Sequence, residues 1–360
     1  MERPILYLAM TNHGFGHTTR TASLAARIQK LCPEVLLILV TTAPRWFLEC
    51  YIEGDFVLRQ RAFDLGVVQS DSLTMDKEAT LAKLREIQKR QNSLIATEVN
   101  FLRQNRVNLI LADIPFLAAG FAKAANIPCW MMSNFGWDFI YRDWGGEFTA
   151  IADWISDWYS KCDRLFRLPF HEPMSAFPNI TDVGLVSGSP RFPADDVRAT
   201  WGITAEREKT ILLTFGGLGL QQIPYENLRQ FADWQFIVFD QSAPELPNLV
   251  KVTTRQYRPV DFMPICGRIF SKPGYSTFAE ATKLQVPIVT IPRDDFAEAP
   301  VLLEGIANYN QHQILTPSEF FQGTWDFLHE LPQPPKHKNA IASDGIEAIA
   351  DAVIQYFGSL

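Results

Sequence analysis

The chain has 360 residues with a formal net charge of −7, and 47% of them are hydrophobic and 20% charged. This length and composition are typical of a globular protein of two domains, and the acidic balance, with no basic stripe, excludes nucleic acid as an expected partner. Five scattered cysteines without a CxxC pair exclude a disulfide framework or a zinc site, and no apolar run is long enough to span a membrane, so we expect a cytoplasmic protein whose only membrane contact would be peripheral.

The first part of the chain alternates short apolar runs with helical patterns. Strands are predicted at 5–10, 34–42, 107–113 and 127–134. Helices are predicted at 18–31, at 76–105 with one break, and at 116–126. Continuous apolar strands that alternate with helices indicate a parallel sheet covered on both faces.

A stretch rich in proline, serine and glycine, 172–196, separates this part from a second series of the same kind. In the second series, strands are predicted at 209–217, 234–240, 268–274 and 286–292, and helices at 275–285 and 342–360. We therefore predict an N-terminal Rossmann-like domain at 1–185, a linker at 186–205, a second such domain at 206–340, and a C-terminal helix at 341–360 that can pack back on the first domain.

Polar residues and glycines follow five of the predicted strands, where an open α/β sheet binds its ligands. They are His13, Gly14, Gly16 and His17 after the first strand, Asp113 at 107–113, Asn134, Trp137 and Asp138 after 127–134, Gly216 and Gly217 after 209–215, and Gly274 to Thr277 after 268–273. A cleft shared by the two domains accounts for all five.

The loop "TNHGFGHTTR" places His17 at the start of a helix, beside unpaired N–H groups. That setting favours a neutral imidazole, which a general base needs, and Asp113 at another strand end can hold the ring and stabilise its cation. A plain structural interpretation, in which His17 caps a helix and Asp113 ends a strand, stays equally open. His13 is expected to contact a substrate or to bond within the loop.

The stretch "SKPGYSTFAEA" is typical of an anion site at a helix N-terminus. Ser276 and Thr277 supply hydroxyls there, and Glu280, one turn further, suits the two hydroxyls of a ribose. Simple helix capping explains the same residues. The stretch "LTFGGLG" is a strand with a glycine turn, and neither a Walker A sequence nor a G-x-S-x-G elbow is present.

In this order, "GFGHTTR", "LILAD", "LTFGGLG" and "SKPGYSTFAEA" resemble the GT-B glycosyltransferases, a family that includes the UDP-N-acetylglucosamine transferases of peptidoglycan synthesis and the UDP-glycosyltransferases of secondary metabolism. The strings "NHGFGHTTR", "SDSLTMD" and "SNFGWDFIY" are similar to the glycosyltransferase-like N-terminal domain of L-arabinokinases. The resemblance implies an α/β protein with two doubly wound, Rossmann-like domains that face a cleft. We see no kinase domain, so arabinose phosphorylation is not expected.

The resemblance also implies roles for single residues. His17 would be the base and Asp113 its carboxylate partner. The donor nucleotide-sugar would contact Gly216, Gly217, Leu218, Gly274, Tyr275, Ser276, Thr277 and the ribose-binding Glu280. Asp295 and Glu298 stand where the family has an Asp-Gln or Gln-Gln pair that reads the donor sugar.

The acceptor would lie against the first domain, along 63–76, 134–144 and 148–162. Its expected contacts are His13, Gly16, Arg20, Asn134, Trp137 and Asp138. Arg20 stands where the peptidoglycan enzymes tend to have proline. It would either reach a phosphate or carboxylate of a substrate or form a surface salt bridge.

These residues predict a glycosyltransferase that moves a sugar from a nucleotide-sugar, with UDP as the expected nucleotide, to an acceptor hydroxyl with inversion. No metal and no cofactor are expected, since no D-x-D motif is present. One alternative is a sugar-nucleotide epimerase of the same fold, with Asp295 and Glu298 as its carboxylates. Another is a sugar- or nucleotide-binding protein without catalysis.

Overall fold

The computed structural model describes residues 3–69, 75–216 and 223–359. Within these residues the strands form two parallel sheets, of seven and six strands, with the orders β3-β2-β1-β4-β5-β6-β7 and β10-β9-β8-β11-β12-β13. The strands are β1 Ile5–Met10, β2 Leu36–Val40, β3 Val57–Arg59, β4 Leu109–Asp113, β5 Cys129–Ser133, β6 Arg164–Arg167, β7 Ile180–Asp182, β8 Thr210–Leu213, β9 Gln235–Val238, β10 Leu249–Lys251, β11 Arg268–Ser271, β12 Ile288–Thr290 and β13 His312–Ile314. The predicted α/β class with two doubly wound sheets is confirmed.

Helices lie between most of the strands. They are α1 Gly16–Leu31, α2 Arg45–Glu49, α3 Lys77–Gln104, α4 Leu117–Ala125, α5 Trp137–Trp144, α6 Phe148–Tyr159, α7 Ala194–Trp201, α8 Pro259–Phe262, α9 Tyr275–Lys283, α10 Glu298–Tyr309, α11 Pro317–Phe321 and α12 Gly345–Gly358. Short 3₁₀ turns occupy Arg207–Lys209, Tyr225–Gln230, Met263–Ile265 and Asp326–His329. No helix in the ranges described is both long and apolar enough to cross a membrane.

The first sheet is buried on both faces because successive side chains of a strand point to opposite sides. Leu6 and Leu8 of β1 belong to the core beneath α1 and α12, whereas Tyr7 and Ala9 belong to the core beneath α3 and α4. The last helix, α12, therefore lies on the N-terminal half of the molecule, and Tyr356 donates a hydrogen bond to the Asn108 carbonyl over 3.1 Å.

Each sheet reverses its strand order once, and the two reversals position the site. In the first sheet the reversal lies between β1 and β4, where Met10 stands opposite Asp113. In the second it lies between β8 and β11, where Leu213 stands opposite Phe270. Loops that leave neighbouring strands in opposite directions open a crevice at such points.

The long helix differs from the sequence prediction. The break expected within 76–105 is wrong: α3 runs unbroken for 28 residues. Its sequence contains no glycine or proline, the residues that most often interrupt a helix, and the Asp76 side chain caps its start by accepting from the Ala79 N–H. In addition, β8 and β11 end earlier than predicted, so more of the chain is available to the loops that follow them.

Candidate active site

The loop after β1 places His17 in the first turn of α1. Gly14 has φ +64°, and a Cβ atom there would meet nothing within 4 Å, so the turn faces open space. His17 is buried, and its Nδ1 lies 2.8 Å from Oδ1 of Asp113 at the end of β4. A carboxylate only accepts, so a hydrogen bond between these two atoms requires the proton on Nδ1, and the neutral ring then keeps its lone pair on Nε2.

Arg20 is part of the same cluster rather than of the surface. Its side chain is buried, with 1% of the residue exposed. Nε donates to Oδ2 of Asp113 over 2.6 Å, and Nη2 donates to Oδ1 over 2.5 Å, as a two-pronged ion pair. The alternative interpretation of Arg20, a salt bridge at the surface, is wrong, because this ion pair lies in the interior. A contact between Arg20 and a substrate stays a prediction.

The charge of Asp113 follows from these neighbours. Burial alone would raise the pKa of this carboxyl, but Arg20 and then His17 bring it down to about 2. Asp113 is therefore an anion at every pH at which the protein is expected to work. An anion beside Nδ1 holds the imidazole in one tautomer and stabilises its cation.

Asn134 extends the cluster across the cleft to the C-terminal half. Its Oδ1 accepts from Nη1 of Arg20 over 2.9 Å, and its Nδ2 donates to Oε1 of Glu298 over 2.8 Å. Glu298 is the first residue of α10 and is buried, with 7% exposed. A chain of hydrogen bonds thus runs from Glu298 through Asn134, Arg20 and Asp113 to His17.

His13 lies on the other side of the same loop, where it touches the C-terminal half. Its ring stacks on Phe296 with centroids 5.7 Å apart and packs edge-on against Trp137. Nδ1 accepts from the Val67 N–H over 3.3 Å, so Nε2 carries the proton. Burial, followed by the nearby charges of Arg293 and Lys272, lowers the pKa of His13 well below its usual value. When Nδ1 of His17 donates to Asp113, the two histidines therefore offer opposite groups, a lone pair on His17 and an N–H on His13.

Trp137 and Asp138 were expected to contact the acceptor. Trp137 is fully buried, and its Nε1 donates to Oγ1 of Thr11 and to Oδ2 of Asp64 over 2.9 and 3.1 Å. Asp138 accepts from Ser156, and burial raises its pKa. Both side chains support the loop after β1 and the helices beside it. A direct contact with an acceptor stays a prediction for them.

Asp64 is a residue that the sequence reasoning did not single out. It is buried, it accepts from the hydroxyl of Thr11 and from the Asn12 N–H, and burial raises its pKa to about 7. Asp64 therefore bonds the loop after β1 to the segment 63–69. The sequence feature that could have identified Asp64 is a single aspartate between apolar neighbours in "AFDLGVV".

A pocket of about 150 Å³ lies against the loop, at the ends of β1 and β2. It is lined by Thr11, Asn12, Gly14, Phe15, Thr18, Thr41, Thr42 and Ala43. Its walls are hydroxyl, amide and backbone groups with one aromatic ring. Groups of this kind suit a neutral polar ligand.

On the C-terminal side, the turn after β8 faces the strand end of β11. Gly216 has φ +78°, and a Cβ atom there would lie 3.3 Å from Cε of Lys272. Gly217 and Leu218 lie outside the described residues. Lys272 and Arg293 were missed from the sequence, although Lys272 directly follows β11. Their charges converge near His13, where a diphosphate is expected.

The N-terminus of α9 adjoins that of α1. Gly274 precedes the helix, and Oγ of Ser276 donates to the Gly16 carbonyl over 2.8 Å. The Tyr275 hydroxyl accepts from the Val186 N–H over 3.1 Å, and the Arg20 guanidinium lies 4.9 Å from the centroid of the Tyr275 ring. Thr277 is partly exposed beside them. The structure therefore brings both predicted helix starts together.

Glu280 lies one turn inside α9 and is buried, with 5% exposed. Among the described residues, its Oε1 has no hydrogen-bond partner. Burial raises the pKa of Glu280 to about 7. A buried carboxyl oxygen without a partner of good geometry is costly, and the nearby backbone N–H of Gly188 offsets only part of the effect of burial on this pKa.

The loop 293–298 is docked on the N-terminal half. Besides Phe296 and Glu298, Asp295 takes part: Lys77 lies 2.9 Å from its Oδ1, and Trp144 donates to its carbonyl over 2.7 Å. Asp295 adopts φ +60°, and its side chain is 66% exposed. The two predicted sugar-reading carboxylates thus differ, because Glu298 is buried and Asp295 is at the surface.

Across 3–69, 75–216 and 223–359, no three His, Cys, Asp or Glu side chains are grouped so that they could hold a metal ion. Independence from a metal stays a prediction.

Comparison with known proteins gives one curated relative and many structural ones. No family model matches the chain. L-arabinokinase of Arabidopsis thaliana is 32% identical over 327 residues, which cover 88% of this chain and 31% of that protein. The chain therefore spans about a third of the length of the curated relative that it matches.

Among solved structures, the calicheamicin glycosyltransferase CalG4 superposes with a TM-score of 0.65 at 16% identity, over 99% of both chains. Arabidopsis thaliana UGT89C1 complexed with UDP gives 0.64 at 12% identity, over 98% of this chain and 99% of the other. Medicago truncatula UGT71G1 complexed with UDP-glucose gives 0.61 at 13% identity, over 97% and 94%. At such identities the likeness establishes the fold alone.

Proposed function

We propose that this chain, which has the GT-B fold, is a glycosyltransferase that moves a sugar from a nucleotide-sugar to an acceptor hydroxyl. The observation that carries the proposal is the buried His17–Asp113 pair. It lies at the start of α1, which is bonded to the start of α9 through Ser276 and the Gly16 carbonyl. A base on one half and an anion site on the other are the two parts that glycosyl transfer requires.

His17 would act as the general base. Its Nε2 takes the proton of the acceptor hydroxyl while the oxygen attacks the anomeric carbon. The new C–O bond forms on the face opposite the leaving group, so the configuration inverts. The bond between the anomeric carbon and the diphosphate oxygen breaks, and its electron pair leaves with the diphosphate. Asp113 stabilises the imidazolium that results.

The donor would lie along the C-terminal half. The turn at Gly216 and the N–H groups at the start of α9 suit the diphosphate, and Lys272 and Arg293 would offset the charge that develops on it. Glu280 would accept from the ribose hydroxyls. The Nε2–H of His13 would donate a hydrogen bond to an oxygen of either substrate. UDP is the proposed nucleotide because structural relatives are complexed with UDP or UDP-glucose.

A sugar- or nucleotide-binding protein without catalysis is the second candidate, and one contact favours it. Nη2 of Arg20 lies 2.9 Å from Nδ1 of His17. An arginine N–H only donates, so a bond from Nη2 to Nδ1 leaves the ring proton on Nε2, where no lone pair remains to take a proton from an acceptor hydroxyl. The epimerase alternative has less support, since Glu298 is bonded to Asn134 and Asp295 lies at the surface.

Calorimetry with UDP, GDP and dTDP on the wild type, Glu280→Ala and the exposed control Glu304→Ala tests the donor site. We expect one nucleotide to bind and Glu280→Ala alone to lose the binding. The matching sugar nucleotide is then incubated with a panel of hydroxyl acceptors, and His17→Ala should abolish product. Absence of nucleotide binding would contradict the proposal, and binding with no turnover over a broad panel would favour the second candidate.

A further inference from the structure

The hydrogen-bond chain from Glu298 to His17 joins the donor side of the cleft to the base. Its interior members are buried: Arg20, Asp113 and Asn134 have 1%, 0% and 1% of their surface exposed. Solvent water therefore does not reach these side chains to replace a lost hydrogen bond. Each side chain depends on its neighbour for its orientation.

The amide of Asn134 is the directional element of the chain. Its two ends meet opposite demands, because Arg20 only donates and the Glu298 carboxylate only accepts. One orientation satisfies both, with Oδ1 toward Arg20 and Nδ2 toward Glu298. Nδ2 also donates to the Phe170 carbonyl over 3.4 Å, a longer contact than the one to Glu298. Without the carboxylate at position 298 this orientation loses the shorter of the two bonds that Nδ2 makes, and a flipped amide would present a donor to the guanidinium.

The guanidinium in turn decides which nitrogen of His17 carries the proton. Nη2 of Arg20 and Oδ1 of Asp113 both lie within hydrogen-bond distance of Nδ1. When Nδ1 donates to Asp113, Nε2 holds the lone pair and can act as a base. When Nη2 donates to Nδ1 instead, the neutral ring is protonated on Nε2 and cannot take a proton there.

We propose that Glu298 is a positioning residue for His17: through Asn134 and Arg20 it holds the imidazole in the tautomer that leaves Nε2 free to accept a proton. The base is then competent only while the loop 293–298 is docked on the N-terminal half. The inference rests on the proposed function insofar as His17 is the base. It concerns a tautomer, however, and its test requires no turnover.

The test is ¹⁵N NMR of the protein labelled in its histidine rings, at a pH where the ring of His17 is neutral. The signal of His17 is assigned by its loss in His17→Ala. In the wild type we expect the proton on Nδ1. In Glu298→Ala we expect a shift toward the Nε2–H tautomer, whereas Glu298→Gln should restore the wild-type signal, since a glutamine oxygen can still accept from Asn134. Glu304→Ala, exposed on the same helix, should change nothing.

Asn134→Ala, alone and combined with Glu298→Ala, tests the route. If Glu298 acts through Asn134, the double variant should show the same His17 signal as Asn134→Ala alone. An additive change in the double variant would overturn the route. A wild-type tautomer in both single variants would overturn the proposal, and thermal unfolding of each variant identifies any loss of fold. Should Glu298→Ala fail to fold, Asn134→Ala carries the test.

Turnover separates this inference from the function itself. Once an acceptor is known, Glu298→Ala should lower kcat by about tenfold or more with rescue by Glu298→Gln, as expected for a misplaced base. Suppose that calorimetry shows nucleotide binding but the tautomer of His17 does not change in Glu298→Ala. The proposed function would then stand, and only the positioning role of Glu298 would be rejected.

Discussion

At the scale of single residues, the arrangement around Asp113 is an ion pair that also holds the imidazole of His17. Two oxygens of one carboxylate receive Arg20, His17 and the hydroxyl of Thr21. A pair of this kind contributes little net stability compared with apolar packing, but breaking it leaves a buried charge without a partner. The same side chains therefore tie the fold to the chemistry.

Asp113→Asn should lower the free energy of unfolding by about 3–5 kcal/mol at pH 7, because Arg20 loses its counter-charge in the interior. Urea denaturation measures the change. Asp182→Asn, which breaks an exposed pair with Arg167, should cost far less. Since the folded pKa of Asp113 is about 2 and lies below its unfolded value, its contribution is present above about pH 4 and is lost as the pH falls toward 2. Equal losses in the two variants would contradict the buried pair.

Glu280 has the opposite dependence on pH. Its folded pKa of about 7 exceeds the unfolded value of 4.5, so folding favours the protonated form, and stability is lost as the pH rises through 7. Glu280→Gln should therefore match the wild type near pH 4.5 and exceed it by about 2–3 kcal/mol at pH 8.5. Denaturation at the two pH values checks the sign. A difference that does not change with pH would be inconsistent with a buried, protonatable carboxyl.

At the scale of elements, the loops that follow the strands position the candidate site residues. The loop after β1 is held from two sides, by Asp64 at its start and by Phe296 against His13. Two glycines with nearly equal φ angles lie beside it. Gly14 faces open space, whereas a Cβ atom on Gly66 would lie 2.6 Å from Cβ of His13.

Gly14→Ala and Gly66→Ala form a matched pair. Both place an alanine at a φ near +65°, which costs about 1–2 kcal/mol of unfolding free energy. Gly66→Ala should cost more and should also displace His13, so that its ring signals shift in the NMR spectrum while those of Gly14→Ala stay near the wild type. Similar His13 shifts in both variants would show that backbone strain, not the close contact, moves the ring.

Some residues of this site could be predicted from the sequence and others could not, and both outcomes have a physical reason. His17, Asp113 and Asn134 stand out because polar residues at the ends of buried strands have few structural uses. The burial of Arg20 could not be predicted because it depends on Asp113 and Asn134, which are about a hundred positions away in the chain. Lys272 and Arg293 look like ordinary surface cations in the sequence, and their convergence near His13 arises only from tertiary structure.

At the scale of the whole molecule, the two halves meet along a seam whose contacts include four kinds. They are a hydroxyl on a backbone carbonyl, a stacked ring pair, an exposed ion pair and the buried bond between Asn134 and Glu298. These contacts join the two halves across the cleft.

Phe296→Ala should loosen the seam, because it removes an aromatic ring, 3% exposed, from between His13 and Phe135. We expect a loss of about 3–5 kcal/mol in unfolding free energy and a larger radius of gyration in small-angle X-ray scattering. Phe321→Ala, at a partly buried ring outside the seam, is the control for the scattering. An unchanged radius in both would mean that the remaining contacts across the seam suffice to keep the halves together.

The bond between Asn134 and Glu298 joins residues 164 positions apart in the chain. In a chimera, an engineer would exchange the second half for that of another protein with the GT-B fold. Such an exchange would remove one partner of this pair and leave the other to a foreign loop. The two halves are consequently not interchangeable cassettes. A productive graft must carry an acceptor for the Asn134 amide at the matching place, or must replace Asn134 and Arg20 together with it.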